Sequence, residues 1–391
     1  MDRDNSNKKQ NSVTLVREFL LKEGPQSQAS ISRKTGLSPA MVNYVVKKLR
    51  ESGNAELQWL NGREGIVSLT SKRGLYFSIL VSIDKITCVF FSFETERKLT
   101  FSFPVAQDAP EENNPYTVIK IVNNILEENK LHISDISGIA ISIIAPLDIN
   151  SETIISWSAG RLPGWRDIKI KSLFENEFKI PVVIDNDANH STLAEWVWGA
   201  GRGIENFVYI ACSKQIGGGI IINNRIYKGG NGMAAEFGHL IIDNSGPVCF
   251  CGCRGCLNTF ISERSIIMNL SKSESYKKSL NEIILAATDG DAACQRVLFE
   301  AGRDLGKALA NIAKILAPGV IAIGGDLSAA GPLFFDSLIA TIEEHNLGAV
   351  STTIDFKLAQ LNYQPEILGG IAALLEHNKQ GMNHLPDWMK R

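Results

Sequence analysis

The sequence predicts a chain of the α/β class, in which a small helical head precedes a large body of alternating strands and helices. Charge separates the two parts, because residues 1–73 contain 13 Lys and Arg against 7 Asp and Glu, whereas the remaining residues contain 27 against 35. From Leu75 onward, β-branched runs that end in small or polar residues alternate with segments of helical spacing. The length of 391 residues allows two or three domains. A basic head on an acidic body indicates that the head meets a polyanion.

The composition is that of an ordinary globular protein, with 44% hydrophobic and 21% charged residues. No apolar run approaches the roughly 18–20 residues that cross a bilayer, and the polar N-terminal stretch MDRDNSNKKQ lacks the apolar core of a signal peptide. Cys88, Cys212 and Cys294 lie far from the other four cysteines and fit a reducing compartment better than a disulfide framework. We therefore expect a cytoplasmic protein without a membrane partner.

The head has the spacing of a helix-turn-helix. Apolar residues at helical spacing over 15–20 indicate a first helix, and residues 29–35 fit a short second helix. Gly36 supplies a tight turn, Ser38 is placed to cap the next helix, and Pro39 takes its first position, where the missing N–H costs nothing. In proteins of this kind the start of the third helix enters the major groove of DNA, and its later cations meet phosphates.

The third helix is expected to end near Ser52 and is followed by a wing. The stretch AELQWLNGREGIVSLT predicts a hairpin around Asn61-Gly62, a strong two-residue turn signal, with Arg63 placed to reach a minor groove. Together these features predict a winged helix-turn-helix, although three short helices and a hairpin could also form another interaction module. The predicted DNA-contacting residues are Ser38, Met41, Asn43, Tyr44, Lys47, Lys48 and Arg63, with Asn43 and Tyr44 as candidates for base contact and Lys47 and Lys48 for phosphate contact.

The body contains a strand end at which ligand-binding groups can collect. The run VVIDNDANHSTLAE is a buried strand followed by Asn186 and Asp187. A carboxylate accepts hydrogen bonds from hydroxyl groups and a carboxamide both donates and accepts, so this pair suits a polyol. Upstream, the loop SWSAGRLPGW holds Trp157 and Trp165, which could flank a sugar ring. Taken alone, an Asn-Asp pair at a strand end is more often a turn or a helix cap.

A Cys/His cluster follows in the stretch GHLIIDNSGPVCFCGCRGC. His239 precedes Cys249 by ten positions, and Cys251 and Cys256 follow at spacings of two and five. Three thiolates and one imidazole form the four-ligand set that tetrahedral Zn²⁺ takes in closed structural sites. Cys253 offers an all-thiolate alternative to His239, and a redox or disulfide cluster is a further alternative. We expect structural zinc.

Seven segments of the body follow one another in a specific order: LPGW, PVVIDNDAN, WGAGRGIENFVYI, IGGGIIINNRIYKGGNGMAAEFGH, CFCGCRGCL, IAIGGDLS and ILGGIAALL. This order resembles the ROK family of sugar kinases and sugar-responsive repressors over residues 75–375, and the head resembles the DNA-binding head of the repressor branch. The resemblance implies two actin-like (ribonuclease H-like) lobes around a sugar cleft. It implies a DNA-binding domain over 1–73, a first lobe over 74–194 completed by 365–391, and a second lobe with the zinc site over 195–364.

The resemblance also implies roles for individual residues. Asn186 and Asp187 match the family's Asn–Asp pair, in which the aspartate is the general base that activates a sugar hydroxyl. Glu236 and His239 match residues that bind sugar hydroxyls, and the histidine also ligates zinc together with the three cysteines. The position of a further sugar-binding glutamate is Asn258 here, which leaves the identity of the ligand and its anomeric preference open.

The phosphate-binding loops of the family's kinases are altered in this sequence. The first loop reads Asp-x-Gly-Gly-Thr in the kinases, whereas here Asp84 is followed by KITC, with Ile86 and Thr87 in place of the glycines. Branched side chains there obstruct the approach of phosphate oxygens to backbone N–H groups. The second loop has become Ser213-Lys214-Gln215. We therefore expect ligand binding without phosphoryl transfer, with Asp187 as a vestigial general base.

These features predict a transcriptional regulator, most simply a repressor. It would bind operator DNA as a homodimer or homotetramer, with recognition helices about 34 Å apart, and would bind a sugar or sugar-phosphate effector between the lobes. Zinc would fix the ring of His239 and thereby one wall of the pocket. Two alternatives stay open: an ATP-dependent sugar kinase with a regulatory head, and a regulator controlled by a protein partner, such as a phosphotransferase-system component, with a vestigial pocket.

Overall fold

The computed structural model describes residues 12–13, 15–16, 19–20, 23–51, 55–60, 64–68, 75–92, 98–106, 109–156, 158–270, 279–345, 353–361 and 364–377. These residues form a head with a three-stranded sheet and a body with two five-stranded sheets, each covered by helices. Within the described residues, no helix combines the length and apolar character that a membrane span requires.

The head contains the predicted helix-turn-helix. Helices α1 (Gln28–Thr35) and α2 (Pro39–Glu51) are separated by Gly36, whose φ of 71° is readily adopted by glycine. The hydroxyl of Ser38 accepts a hydrogen bond from the backbone N–H of Met41 at 3.2 Å, which makes it the expected cap of α2. The described residues of the segment 12–23 are helical. The core of the head is formed by the buried side chains of Val16, Leu20, Ile31, Val42, Val45, Val46, Leu49, Ala55 and Val67.

The wing is an antiparallel sheet with the strand order β1-β3-β2, formed by β1 (Gln26–Ser27), β2 (Glu56–Leu60) and β3 (Glu64–Ser68). Leu60 pairs with Glu64, so three residues, and not the expected two, separate the paired ends of the hairpin. Arg63, the predicted tip residue, lies outside the described residues.

The first lobe is built on a sheet with the strand order β10-β7-β4-β5-β6. Strands β4, β5 and β6 form an antiparallel meander, whereas β7 and β10 run parallel to β4. Helices α3 and α4 contribute to one apolar core with this sheet. The elements of this lobe are β4 (Leu75–Val81), β5 (Lys85–Ser92), β6 (Lys98–Pro104), α3 (Pro115–Glu128), β7 (Ile136–Ile143), the two-stranded ribbon β8 (Leu147–Asp148) and β9 (Thr153–Ile154), α4 (Ile170–Phe178) and β10 (Val182–Asn186).

The second lobe is built on a sheet with the strand order β13-β12-β11-β14-β15. Its largest core lies between this sheet and the helices that follow the Cys/His cluster. Helix α5 (Asp187–Trp198) connects the two lobes. The elements of the second lobe are β11 (Phe207–Cys212), β12 (Ile216–Ile222), β13 (Arg225–Ile226), α6 (Asn258–Ile261), α7 (Glu263–Leu270), α8 (Leu280–Thr288), α9 (Ala292–Leu316), β14 (Val320–Gly324), α10 (Pro332–His345) and β15 (Asp355–Leu358).

Helix α11 (Pro365–His377) returns from the second lobe to the first sheet. It buries Ile367, Ile371 and Leu374 in a cluster with residues of β4, β5 and β7. Helix α5 packs against α11 and β12 and therefore touches both lobes, so that the expected boundary between residues 194 and 195 falls inside this helix. The buried carboxylate of Glu195 accepts a hydrogen bond from the N–H of Leu361 at 2.7 Å, which ties α5 to the segment before α11.

Candidate functional site

A cleft of about 880 Å³ lies between the two lobes. It forms where the carboxyl end of β10 and the start of α5 face the turn before β12 and the segment that leads to the Cys/His cluster. Ligands bind at such strand ends in open α/β sheets. The residues that sequence analysis assigned to sugar binding come from three separate parts of the chain, and all of them line this one cleft: Asn186, Asp187, Glu236, His239 and Asn258.

Asn186 and Asp187 lie at the junction of β10 and α5. The side-chain oxygen of Asn186 accepts the N–H of Ala188 at 2.8 Å, so this residue is a helix cap and its amide N–H groups are left for the cleft. Burial raises the pKa of Asp187 to about 6, against the lowering effect of Arg161. Asp187 therefore titrates close to neutral pH.

Glu236 precedes a short 3-10 helix on the second lobe, Phe237–His239, which ends at His239. Burial raises the pKa of Glu236 to about 7, and the nearby Arg161 opposes that shift. Burial lowers the pKa of His239, which favours the neutral imidazole that accepts hydrogen bonds or binds metals. A half-buried carboxyl and an imidazole that line the same cleft can each bind a hydroxyl group.

Asn258 begins α6 and is only 6% exposed. Its side-chain oxygen accepts the backbone N–H of Ile216 at 2.7 Å. This hydrogen bond uses one of the two lone pairs of the Asn258 oxygen within the protein. Its side-chain N–H groups remain as donors for a ligand in the cleft.

The expectation that Trp165 flanks a sugar ring is wrong. Its side chain is fully buried in the core of the first lobe, and its indole N–H donates to the side-chain oxygen of Asn113 at 3.0 Å. The 3-10 turn Pro163–Trp165 directs this loop inward. The other proposed aromatic residue, Trp157, lies outside the described residues.

Two cleft residues were missed by sequence analysis. Arg161 ends the 3-10 helix Ala159–Arg161, and its guanidinium carbon lies 5.6 Å from the ring centroid of Phe250. Glu366 lies in the first turn of α11, where burial raises its pKa to about 7. The sequence does carry a signal for Arg161, because it lies in the same loop as the two tryptophans. No local pattern connects Glu366 with residues so far upstream.

Asp185, just before the Asn–Asp pair, anchors the start of α5. Its carboxylate lies 2.6 Å from the ammonium group of Lys228 on the second lobe and accepts the side-chain N–H of Asn189 at 2.9 Å. Burial by itself would raise the pKa of Asp185, but the charge of Lys228 holds it below its ordinary value. Nearby, burial lowers the pKa of His190 to about 4, and its Nδ1 lies 2.6 Å from the hydroxyl of Ser142.

The positions that match the first phosphate-binding loop of the kinases belong to a regular strand in this protein. Ile86 and Thr87 are each 2% exposed and pair with Val81 and Leu80 as regular residues of β5. The ammonium group of Lys214 lies 2.7 Å from the carboxylate of Asp84, which joins the second lobe to the first. The hydrogen bond from Lys214 holds the pKa of Asp84 below its ordinary value.

The Cys/His cluster brings the ligand atoms of His239, Cys249, Cys251 and Cys256 within 4.8 Å of one another. Nδ1 of His239 lies 3.6 Å from the sulfur of Cys249, and the sulfurs of Cys251 and Cys256 are 3.7 Å apart. Ligands of a tetrahedral zinc ion with the usual bond lengths are about 3.6–3.8 Å apart, so the donor set fits such an ion. Cys253 is exposed and lies outside this group, and all seven cysteines are free thiols.

The predicted DNA-contacting residues of α2 do not share one environment. Ser38, Asn43, Lys47 and Lys48 are exposed, as expected for a surface that meets DNA. Met41 and Tyr44 are half-buried and pack against the core of the head, which reduces the part of each side chain that faces outward.

Comparisons with known proteins agree with this architecture. The sequence profile of the ROK family matches residues 76–378, and a winged helix-turn-helix DNA-binding profile matches residues 18–53. The xylose repressor of Bacillus spizizenii is 28% identical over 375 residues, which cover 95% of this chain and 96% of the repressor. A glucokinase of Halalkalibacterium halodurans is 34% identical over 252 residues, which cover 61% of this chain and 76% of the glucokinase.

A solved structure shares the whole fold, including the head. The ROK family transcriptional regulator described as a homolog of the E. coli MLC protein has a TM-score of 0.79, covers 98% of each chain and is 21% identical. The predicted fold class, a winged helix-turn-helix before a two-lobed α/β body, is thereby confirmed. Since the family profile extends over most of the chain, from residue 76 to residue 378, the protein belongs to the ROK family.

Proposed function

We propose that the protein is a sugar-responsive transcriptional repressor. Its head binds operator DNA through α2 and the wing, and its cleft binds a sugar effector. The similarity to a xylose repressor over 95% of the chain supports both parts of this assignment, because the aligned region includes head and body. The exposed cations Lys47 and Lys48 supply charge for DNA phosphates, and Asn43 supplies an amide for a base edge.

The observation that carries the proposal is that the cleft has the residues for binding a sugar but lacks the loops for binding the phosphates of ATP. Three groups that can bind sugar hydroxyls line the cleft together: the side chains of Asp187, Glu236 and His239. At the positions that match the phosphate-binding loops, buried Ile86 and Thr87 leave no loop of backbone N–H groups for phosphate oxygens. The ion pair of Asp84 and Lys214 joins the two lobes there. Such a cleft favours binding over ATP-dependent phosphorylation, and we propose that the protein is not an enzyme.

Effector binding would act through the angle between the lobes. A ligand shifts a conformational equilibrium only by binding one state more tightly than the other. A sugar that contacts both Asp187 of α5 and Glu236 of the second lobe favours the closed cleft. In a homodimer or homotetramer, which we propose as the acting form, closure changes whether two recognition helices reach half-sites about 34 Å apart.

We propose that the Cys/His cluster, formed by His239, Cys249, Cys251 and Cys256, holds structural Zn²⁺. The separations of its donor atoms support this choice of metal. Bound zinc would hold the loop that carries the three cysteines in one conformation and would bind the cysteines as deprotonated thiolates. His239 belongs both to this cluster and to the wall of the cleft, so fixing its ring orients the remaining ring nitrogen for a ligand.

The remaining assignments are part of the same proposal. The chain would divide into a DNA-binding domain over 1–73, a first lobe over 74–194 with 365–391, and a second lobe over 195–364. A repressor of this type acts in the cytoplasm, where operator DNA and sugar are both accessible. The sugar-binding residues would be Asn186, Asp187, Glu236, His239 and Asn258, and Arg63 would add a minor-groove contact to those of α2.

The test is fluorescence-anisotropy binding of the full-length protein to the DNA upstream of its own gene, with and without a panel of hexoses, pentoses, N-acetylhexosamines and their phosphates. We expect nanomolar binding that one of these sugars relieves. Lys47→Ala should weaken binding and reduce its salt dependence by about one counterion, whereas Lys314→Ala, an exposed lysine of α9, should not.

Two outcomes would contradict the proposal. DNA binding that no sugar changes would remove the sugar-responsive part and favour control by a protein partner. ADP release from ATP in the presence of a sugar, abolished by Asp187→Ala, would instead show a sugar kinase.

A further inference from the structure

The guanidinium group of Arg161 is an unsatisfied charged donor inside the cleft. Its Nε and Nη2 atoms are buried and have no hydrogen-bond partner. Arg161 lines the same cleft as the five residues assigned to sugar binding. Buried polar groups in native proteins are nearly always hydrogen-bonded, and leaving a charged donor unpaired is costly. The side chain is therefore set for an acceptor that arrives with a ligand.

Within the part of the chain that the structure describes, neighbouring protein groups do not supply that acceptor. Asp187 and Glu236 lie close enough to act on the charge of Arg161, but neither carboxylate accepts a hydrogen bond from Nε or Nη2. The ring of Phe250, from the second lobe, lies 5.6 Å from the guanidinium carbon. This cation–π contact stabilises the plane of the guanidinium group but offers no hydrogen-bond acceptor.

The identity of the two unpaired atoms indicates the shape of the missing acceptor. Nε and Nη2 form one edge of the planar guanidinium group, and their N–H bonds point in parallel. A carboxylate or a phosphate presents two oxygens at the matching separation and binds such an edge with two hydrogen bonds. A single hydroxyl group would satisfy only one of the two donors.

We propose that the effector is an acidic sugar, whose carboxylate or phosphate group binds the Nε–Nη2 edge of Arg161. This inference rests on the proposed function, because it takes the cleft to be the effector site. Asn186, Asp187 and Glu236 then bind the hydroxyl groups of the ring, and Asn258 contributes amide N–H donors without adding negative charge. Arg161 is the specificity-determining residue that separates acidic sugars from their neutral counterparts.

The experiment is isothermal titration calorimetry of the full-length protein with matched ligands that differ only in the acidic group: glucose, glucuronate and glucose 6-phosphate; galactose and galacturonate; N-acetylglucosamine and its 6-phosphate. At least one acidic sugar should bind about tenfold or more tightly than its neutral counterpart. Arg161→Gln should remove that preference, and Arg161→Lys should restore only part of it, because lysine keeps the charge but loses the two-donor edge.

Arg166→Gln is the matched control, since Arg166 is an exposed arginine of the same loop and should leave every affinity unchanged. A melting temperature measured for each variant separates loss of binding from loss of fold. Preference for uronates or for phosphates identifies which two-oxygen group the site takes. Equal binding of neutral and acidic sugars, unaffected by Arg161→Gln, would overturn this inference and leave the repressor proposal intact. Binding of neither class, with DNA binding insensitive to both, would overturn the proposed effector site itself.

Discussion

At the scale of single residues, three carboxyl groups of the cleft have an unusually high proton affinity. Burial raises the pKa of Asp187 to about 6 and those of Glu236 and Glu366 to about 7. Each group is costly to ionise in the folded protein because it is withdrawn from water. A ligand that donates hydroxyl protons to these oxygens compensates for the lost hydration, which favours polyols over apolar molecules.

Asp187→Asn should stabilise the protein at neutral pH. The pKa of Asp187 rises from 3.8 to about 6 on folding, so the folded state binds the proton more tightly and stability falls as the pH rises from about 4 through about 6. Removing the charge should raise the free energy of unfolding by about 1–3 kcal/mol at pH 7.5. This range allows for the favourable interaction between the carboxylate and the helix dipole, which the substitution also removes. The gain should vanish near pH 4. Urea unfolding at both pH values measures it.

The exposed Asp336→Asn serves as the control for this measurement, because Asp336 lies on the surface of α10. If Asp187→Asn and Asp336→Asn showed the same pH dependence, the raised pKa of Asp187 would be contradicted.

At the scale of elements, the first turn of α2 combines stability with a predicted DNA contact. Ser38 caps this helix through the N–H of Met41, and its side chain is exposed. Ser38→Ala should destabilise the head by about 1 kcal/mol. Ser38→Asp keeps a capping oxygen and should keep the stability, but its negative charge should weaken DNA binding.

Thermal unfolding and anisotropy on both Ser38 variants distinguish the two roles. If Ser38→Asp bound DNA as tightly as the wild type, Ser38 would be a cap without a place in the DNA interface.

The Cys/His cluster is the second element whose behaviour can be predicted. We expect the purified protein to contain about one zinc ion per chain, and Cys256→Ser to lose it, since a structural site needs all four ligands. Cys256 is fully buried, so the loss should also lower the melting temperature. Cys253→Ser should retain the metal, because Cys253 is exposed and lies outside the group of four.

Metal analysis and thermal unfolding measure these effects. Sugar titration shows whether the loss of zinc also lowers the sugar affinity of the cleft through His239. Zinc loss from Cys253→Ser with full retention in a His239→Ala variant would instead support the all-thiolate ligand set.

At the scale of the whole molecule, two ion pairs between described residues join the lobes. The side chains of Asp84 and Lys214 are 45% and 66% exposed, whereas those of Asp185 and Lys228 are 13% and 35% exposed. An exposed pair contributes little, because water screens it. Breaking a partly buried pair costs more, since it leaves one charge without its partner. We therefore expect that breaking the Asp185–Lys228 pair costs more stability than breaking the Asp84–Lys214 pair.

Lys214→Ala should reduce effector affinity by at most about fivefold and leave the melting temperature nearly unchanged, because an exposed pair contributes roughly 0–1 kcal/mol. The reversed pair, Asp84→Lys with Lys214→Asp, should recover the affinity that either single change loses. Titration calorimetry on the wild type, on Asp84→Lys, on Lys214→Asp and on the double variant completes a double-mutant cycle. A coupling energy of zero would show that this contact does not favour the closed cleft.

Much of the architecture followed from local patterns. The turn at Gly36, the cap at Ser38 and the apolar spacing of α2 predicted the helix-turn-helix, because capping and periodicity act over a few residues. The short spacings within the Cys/His cluster likewise limited which thiols could meet, and the structure groups the same four residues.

What the sequence by itself determined was the order of elements and five of the polar residues that line the cleft. The tertiary structure alone decided how each side chain is used: Trp165 became core, the oxygen of Asn258 was taken by Ile216, and Arg161 was left unpaired beside carboxyl groups. Glu366 joined the cleft from the far end of the chain because α11 packs back on the first sheet. Hydrogen-bond partners and desolvation depend on neighbours distant in sequence, and only the packed fold brings those neighbours together.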